Sequence, residues 1–377
     1  MKRIIVSLII VGMFLVNSTT AFAKSADLSV EAPSAILVEK STGKVLYEKD
    51  ADKKMRPASV TKIMTLILIM EAIEKNQFGL DDIVTASAYA TSMGGSQVYL
   101  KEGEQMRVEE MLKCIVIASA NDACVAMAEF VSGSVEEFVS RMNEKAAALG
   151  MINTEFKNCT GLESEGHLTT ARDISLMSRE LLKYKDIKKY TTIWMDTIRN
   201  GEFGLTNTNK LIRFYDGATG LKTGYTAQSK YCISATAQKN GMELIAVVMA
   251  SESSDKRNAD AKTMLNYGFS QYSLFTLDSI NFEPIYVIKG IEKNVTPMLE
   301  QSVNLVVEKG REKDVEYSVE MASDVSAPVL MGQKLGEVIL SLDGQQLQKI
   351  NVVSKTPIEK VSVFSVFLEI LNYFLIF

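Results

Sequence analysis

From Ile63 to Ile73 the chain is almost wholly apolar, interrupted only by Thr65 and Glu71. Such a run is too long for a strand and well short of the ~20 residues that cross a bilayer, so it reads as a helix buried on every side. A buried helix needs other layers around it. The 377 residues supply them, as two domains of ordinary size or one large domain with an appendage. Hydrophobic residues at 47% and charged residues at 23% are ordinary globular usage, which excludes a disordered or collagen-like chain. Lys and Arg number 41 against 46 Asp and Glu, a net charge of -5, so the overall charge gives no basis for binding nucleic acid.

The scarcest residue limits the chemistry. With His167 as the only histidine, a two-histidine zinc site is impossible, and a Ser-His-Asp triad could be built only around that residue. No other feature of the sequence asks for a metal or a cofactor, and none is expected. His167 directly precedes Thr170-Ala171-Arg172-Asp173, a capping-box pattern for a helix running toward Leu182, and is expected to order that loop.

Both termini carry membrane signals. Lys2 and Arg3 precede an apolar run from Ile4 to Val16 and then Ala21-Phe22-Ala23, the pattern of a signal peptide over residues 1–23. The run is too short for a spanning anchor. Cleavage would take the net charge from -5 to -7, because Lys2 and Arg3 are the segment's only charges. The mature chain is therefore expected to be exported. Between Val361 and Phe377, Ser362, Ser365, Glu369 and Asn372 fall on one narrow stripe of a helix whose other positions are mostly Val, Phe, Leu and Ile. Residues 357–377 thus read as an amphipathic helix lying in the membrane interface. The alternative is a helix docked on the protein itself, since the polar stripe lacks the Lys and Arg usual on such anchors. Cys114, Cys124, Cys159 and Cys232 are spread through apolar stretches of the chain; they read as buried thiols rather than a disulfide framework, though an even number in an exported chain leaves a disulfide open.

Between the termini the texture changes once. Ala35–Val38 and Val45–Tyr47 flank Ser41-Thr42-Gly43-Lys44 as a hairpin; Met111–Val131 is helical with a break near Ser119; Tyr231–Ala237 and Leu244–Met249 have strand lengths; and Ala259–Tyr267 returns to helix. After about Leu277, helical periodicity gives way to strands at Val303–Val307, Val315–Met321 and Glu337–Val353, the last broken by an Asp343-Gly344 turn. The expected division is residues 24–276, 277–356 and 357–377.

A serine can be activated without histidine by a neutral lysine one helical turn away, the pattern Ser-x-x-Lys. It occurs three times. Ser41–Lys44 lies in the hairpin turn and Ser253–Lys256 in what reads as a polar loop, whereas Ser59-Val60-Thr61-Lys62 opens the buried helix and sets Lys62 among apolar walls that would lower its pKa. Ser59 alone could be a helix cap. Two further elements follow in order: Ser119-Ala120-Asn121 in the helix break, and Lys222-Thr223-Gly224 directly before the strand through Tyr231. Ser-x-x-Lys, Ser-x-Asn and Lys-Thr-Gly in this order are the set found in penicillin-binding proteins and class A β-lactamases.

With Arg56-Pro57-Ala58-Ser59-Val60-Thr61-Lys62, Ser119-Ala120-Asn121-Asp122-Ala123, Gly220-Leu221-Lys222-Thr223-Gly224-Tyr225-Thr226 and Leu265-Asn266-Tyr267-Gly268-Phe269, the sequence resembles the D-alanyl-D-alanine carboxypeptidases among class C low-molecular-mass penicillin-binding proteins, in particular the sporulation-associated members. The resemblance covers nearly the whole chain, with Cys159 in Asn158-Cys159-Thr160-Gly161-Leu162 as a departure. It implies an α/β (α+β) catalytic domain of the serine β-lactamase/transpeptidase type, with an antiparallel sheet flanked by helices, and a small all-β C-terminal domain. It also implies Ser59 as nucleophile, Lys62 as its base, Ser119 and Lys222 as the relay to the leaving group, and backbone N–H groups of Ser59 and Tyr225 as an oxyanion hole. Asn121 would hold the acyl part of the substrate, while Thr223 and Gly224 on the strand, with Arg257 as positive partner, would receive the terminal carboxylate. The implied partners are peptidoglycan stem peptides, β-lactams as covalent inhibitors, and the membrane surface. The implied location is the outer face of the cytoplasmic membrane. A β-lactamase is the first rival, but the Glu-x-x-Leu-Asn pattern that serves deacylation in class A enzymes is missing; a non-catalytic cell-wall scaffold is the second, and the complete motif set argues against it.

Overall fold

The computed structural model describes residues 28–362. The expected signal peptide and residues 363–377 of the expected C-terminal helix lie outside the described residues. Five strands, β1 (Ser34–Glu39), β2 (Val45–Lys49), β3 (Ala218–Thr226), β4 (Lys230–Lys239) and β5 (Met242–Ser251), form one sheet in the order β2-β1-β5-β4-β3. Every neighbouring pair is antiparallel. This is the expected antiparallel sheet, and helices cover both of its faces.

Alternation along β5 divides the core. Ile245, Val247 and Met249 face a large cluster built around α1 (Lys62–Glu74), while Leu244, Ala246 and Val248 face Ala261, Met264 and Leu265 of α5 (Ser254–Gln271). Because both faces are covered, the strand reads as a continuous apolar run. Helix α1 is buried at every position from Lys62 to Met70, as its composition requires. Around it pack α2 (Val108–Val116), α3 (Asn121–Ser132) and α4 (Ala171–Leu181). The helix break expected near Ser119 separates α2 from α3.

Several expectations are adjusted. Lys222-Thr223-Gly224 lies inside β3, and Tyr231 belongs to the next strand. Ser253 is not in a loop but caps α5, its hydroxyl accepting the Lys256 N–H at 3.1 Å. Thr170 caps α4 by accepting the Asp173 N–H at 3.1 Å, but only half of the capping box forms: the Asp173 carboxylate takes bonds from the Asn153 N–H and the Thr154 hydroxyl instead. All four cysteines are free and buried. The β-only part begins at Tyr272, immediately after α5, rather than after residue 276. It also extends past residue 356. Ile358 bridges to Val329, Lys360 bridges to Gly290, and the Val361 N–H donates to the Lys289 carbonyl, so this stretch is bridged to the β part and is not the start of a helix. Among the described residues, no helix is long and apolar enough to cross a membrane.

His167 does more than order the loop before α4. Its Nδ1 accepts the Lys157 N–H at 3.2 Å, which leaves the proton on Nε2, 2.9 Å from the hydroxyl of Thr61. Burial, with Arg56 and Lys157 nearby, pulls its pKa from 6.5 down to about 4. Above pH 6.5 the ring is neutral in the folded and unfolded chain alike, and its contribution to stability is complete. As the pH falls from 6.5 toward 4 the unfolded chain binds a proton that the folded one refuses, and stability is lost. Urea unfolding of His167→Asn and of the parent across that window is expected to show a shallower acid loss in the variant, by up to about 3 kcal/mol. Equal slopes would remove this role.

Candidate active site

Pro57 introduces a 3-10 turn, Ala58–Thr61, that runs directly into α1 at Lys62. Ser59 therefore sits within a turn and is not a helix cap. Two glycines let other segments press against this turn. A Cβ on Gly224 of β3 would stand 2.8 Å from the Pro57 carbonyl oxygen and 2.9 Å from the Ser59 nitrogen. One on Gly161 would stand 1.9 Å from the Ala58 carbonyl oxygen. Ala58 itself holds φ at +49°, a strained value for a residue with a side chain, of a kind that gathers at functional sites and costs about 1–3 kcal/mol.

Lys62 is fully buried, and its Nζ has three oxygen neighbours: Ser59 Oγ at 3.0 Å, Asn121 Oδ1 at 2.6 Å and the Thr160 carbonyl at 2.8 Å. Burial pushes its pKa below the ordinary lysine value; Cys124, Cys159 and Asp122, in their ionised forms, act in the other direction. Two of the three neighbours can only accept. A neutral amine has two N–H bonds for Asn121 Oδ1 and the Thr160 carbonyl, which leaves its lone pair for the Ser59 hydroxyl. The Asn121 amide is itself oriented, because its Nδ2 donates to the Gly94 carbonyl at 2.7 Å. Thr160 is a contributor that the Ser-x-x-Lys motif does not reveal; the signal was the Asn158–Leu162 segment, where Asn158 Oδ1 accepts the Thr160 and Gly161 N–H groups.

Ser119 lies between α2 and α3 with φ at +61° and is almost wholly buried. Lys222, buried on β3, donates to Ser119 Oγ at 2.8 Å and to the Thr223 carbonyl at 3.0 Å. Its pKa falls well below the ordinary value, through burial first and then the charge of Lys62. The repulsion between the two lysines thus depresses Lys222, and desolvation alone is the main cause at Lys62. Ser59, Lys62, Ser119, Asn121 and Lys222 form one connected cluster where the turn, the helix break and the sheet edge meet.

The remaining residues have partners that the sequence did not announce. The Asn121 amide is engaged by Lys62 and Gly94 rather than free for an acyl group. Thr223 donates to the hydroxyl of Thr208 at 2.7 Å, a partner not foreseen from the sequence. Tyr225 is 55% exposed, with its ring stacked on Tyr231 at 4.4 Å between centroids. Arg257 is neither a surface charge nor a hydrogen-bond partner of Thr223: it is buried beneath the Tyr231 ring and donates to Asn258, Ser254 and the Cys232 carbonyl. Burial lowers its pKa to about 10, and its charge acts on Lys222.

This arrangement matches known proteins over most of its length. Residues 20–253 match the family model "D-alanyl-D-alanine carboxypeptidase", and residues 269–360 match "Penicillin-binding protein 5, C-terminal domain". The chain is 46% identical to D-alanyl-D-alanine carboxypeptidase DacF of Bacillus subtilis, over 96% of this chain and 95% of that one. It is 32% identical to D-alanyl-D-alanine carboxypeptidase DacA of Escherichia coli, over 85% and 82% of the two chains. Penicillin binding protein 5 from Haemophilus influenzae superposes with a TM-score of 0.78 at 26% identity, over 90% of this chain and all of that one. Penicillin-Binding Protein D2 from Listeria monocytogenes, solved in an ampicillin-bound form, superposes with a TM-score of 0.60 at 29% identity, over 65% of this chain and all of that one. The chain belongs to the D-alanyl-D-alanine carboxypeptidase family of serine peptidases.

Proposed function

We propose that this chain removes the terminal D-alanine from peptidoglycan stem pentapeptides through an acyl-enzyme on Ser59, and that β-lactams acylate the same serine. The observation that carries the residue assignment is the contact of buried Lys62 Nζ with Ser59 Oγ beside two accept-only neighbours, which a neutral amine meets with its lone pair toward Ser59. Lys62 takes the hydroxyl proton as Ser59 Oγ attacks the carbonyl of the penultimate D-alanine. The oxyanion is received by the backbone N–H groups of Ser59 and Tyr225, where a donor is typically worth about 2.7–4 kcal/mol. Ser119, bonded to Lys222, passes its hydroxyl proton to the amine of the departing D-alanine and is reprotonated from the lysine cluster, so that the proton taken from Ser59 is in balance the one that leaves. Water then hydrolyses the ester and restores the Ser59 hydroxyl.

Thr223 and Gly224 line the strand side, and the substrate carboxylate would take the Thr223 hydroxyl from Thr208. Arg257 supports this end of the site by its charge from behind β4, not by contact with Thr223. Asn121 serves first to orient Lys62; a bond to the acyl group requires its amide to leave Gly94. The ampicillin-bound relative supports β-lactam acylation. The exported location rests on residues 1–23 as a cleaved signal peptide, and attachment to the outer face of the cytoplasmic membrane rests on the amphipathic pattern of residues 361–377.

Intact-mass measurement of the signal-processed chain after benzylpenicillin is expected to show one long-lived adduct, with none on Ser59→Ala; rapid turnover of a chromogenic cephalosporin would instead make it a β-lactamase. Lys62→Gln is expected to slow acylation by about 10²–10⁴-fold, the usual value of a general base; a rate near that of the parent would remove Lys62 from the role. Deleting residues 363–377 is expected to move active enzyme from membranes to the soluble fraction, and continued membrane association would count against the anchor.

A further inference from the structure

Asp122 stands next to Asn121 in the first turn of α3, is fully buried, and has no cation among its hydrogen-bond partners. Its carboxylate accepts from the Val98 N–H at 3.1 Å, the Leu100 N–H at 3.0 Å and the Ala123 N–H at 2.9 Å. Buried carboxylates are costly unless fully bonded, so this one is a built feature of the fold. On the opposite side of the same segment, Arg199 donates to the Val98 carbonyl at 2.9 Å and toward the Tyr99 carbonyl at 3.4 Å, and is itself held by Glu104. One anion therefore gathers the N–H groups of Val98 and Leu100, and one cation gathers the carbonyls of Val98 and Tyr99. Between them Tyr99 is kept at φ +58°, 69% exposed, a conformation that a tyrosine does not hold without such restraint.

The chain just before the clamped segment bears directly on the catalytic cluster. Asn121 donates its backbone N–H to the Ser96 carbonyl at 2.7 Å and its Nδ2 to the Gly94 carbonyl at 2.7 Å. The Gly94 bond decides which end of the amide faces Lys62. With Nδ2 toward Gly94, Oδ1 takes one N–H of Lys62; with the amide reversed, Lys62 would meet a donor and lose the arrangement that leaves its lone pair for Ser59.

We infer that Asp122 is a positioning residue of the reaction: by fixing residues 94–100 it orients the Asn121 amide, and through that amide it orients Lys62 toward Ser59. The inference rests on the reading of Lys62 as the base. A purely structural carboxylate would affect folding alone. Asp122 also places a negative charge near Lys62, among facing groups that include Lys222 on β3, Cys124 on α3 and Cys159 in the loop before Thr160. That charge favours the ammonium form of Lys62, so removing it lets Lys62 become neutral at lower pH.

The test is the single-turnover rate of benzylpenicillin acylation, measured from pH 5 to 10 on the signal-processed chain. In Asp122→Asn a carboxamide N–H₂ must face backbone N–H groups, so the clamp breaks and the charge is lost together. Acylation is expected to slow about tenfold or more, the usual effect of a small misplacement, with its acid limb moved to lower pH. An acid limb in the parent's position, at any rate, would overturn the inference. Arg199→Gln loosens the carbonyl side of the segment and leaves the Asp122 charge in place. It is expected to slow acylation without moving the limb, and it decides the matter if Asp122→Asn does not fold; a parental rate in Arg199→Gln would then overturn the inference. Failure of the parent to be acylated at all would instead overturn the proposed function.

Discussion

Everything in the catalytic unit turns on keeping one lysine amine out of water. Lys62 is held at the start of a helix that the rest of the fold encloses, and burial lowers its pKa before any neighbouring charge acts. The same enclosure fixes which atoms it can meet. Ser59 is supplied by its own turn, Asn121 by the break between two helices and Thr160 by a loop that Gly161 brings within contact of that turn. A second buried lysine, Lys222, reaches the cluster from the sheet, and the two cannot both carry full charge cheaply. On the proposed reading the site runs on desolvation and fixed dipoles, and a chain with a single histidine suffices for it.

The strain near the site has the same origin. Ala58 and Ser119 occupy positive φ on either side of the cluster, and each is an ordinary residue that would avoid that region in an open loop. Both are held there by surrounding packing, the first between β3 and the Asn158–Leu162 loop, the second by the bond from Lys222. Stability contributed by the apolar core is spent on local geometry.

Much of this was legible in the chain itself. The run from Ile63 to Ile73 announced a central helix, the period change at Ser119 announced the break, and three short motifs announced the cluster. What they could not show was long-range polar pairing. Thr208 meets Thr223, the Thr160 carbonyl meets Lys62, and Asp173 leaves its expected cap for Asn153 and Thr154; each is chosen by tertiary proximity, which no local pattern encodes. Arg257 is the clearest case. A polar stretch around it suggested a surface charge or a carboxylate ligand, yet the packing of α5 under β4 buries it beneath Tyr231. At the other end, the expected division placed the end of the β part at residue 356, but Ile358–Val361 continues its hydrogen bonding.

That last stretch governs how the molecule bears load. Ile358 bonds to Val329 on one side, while Glu359 and Val361 bond to Ile291 and Lys289 on the other, so the chain leaves the β unit from the middle of a small hydrogen-bonded seam. A pull on the residues beyond it must break these bonds before it reaches the rest of the β unit. The buried Ile358 side chain must also be withdrawn from its apolar pocket before the seam slips. Any load on the end of the chain therefore meets this seam of the β unit before it reaches the strands and helices that carry Ser59.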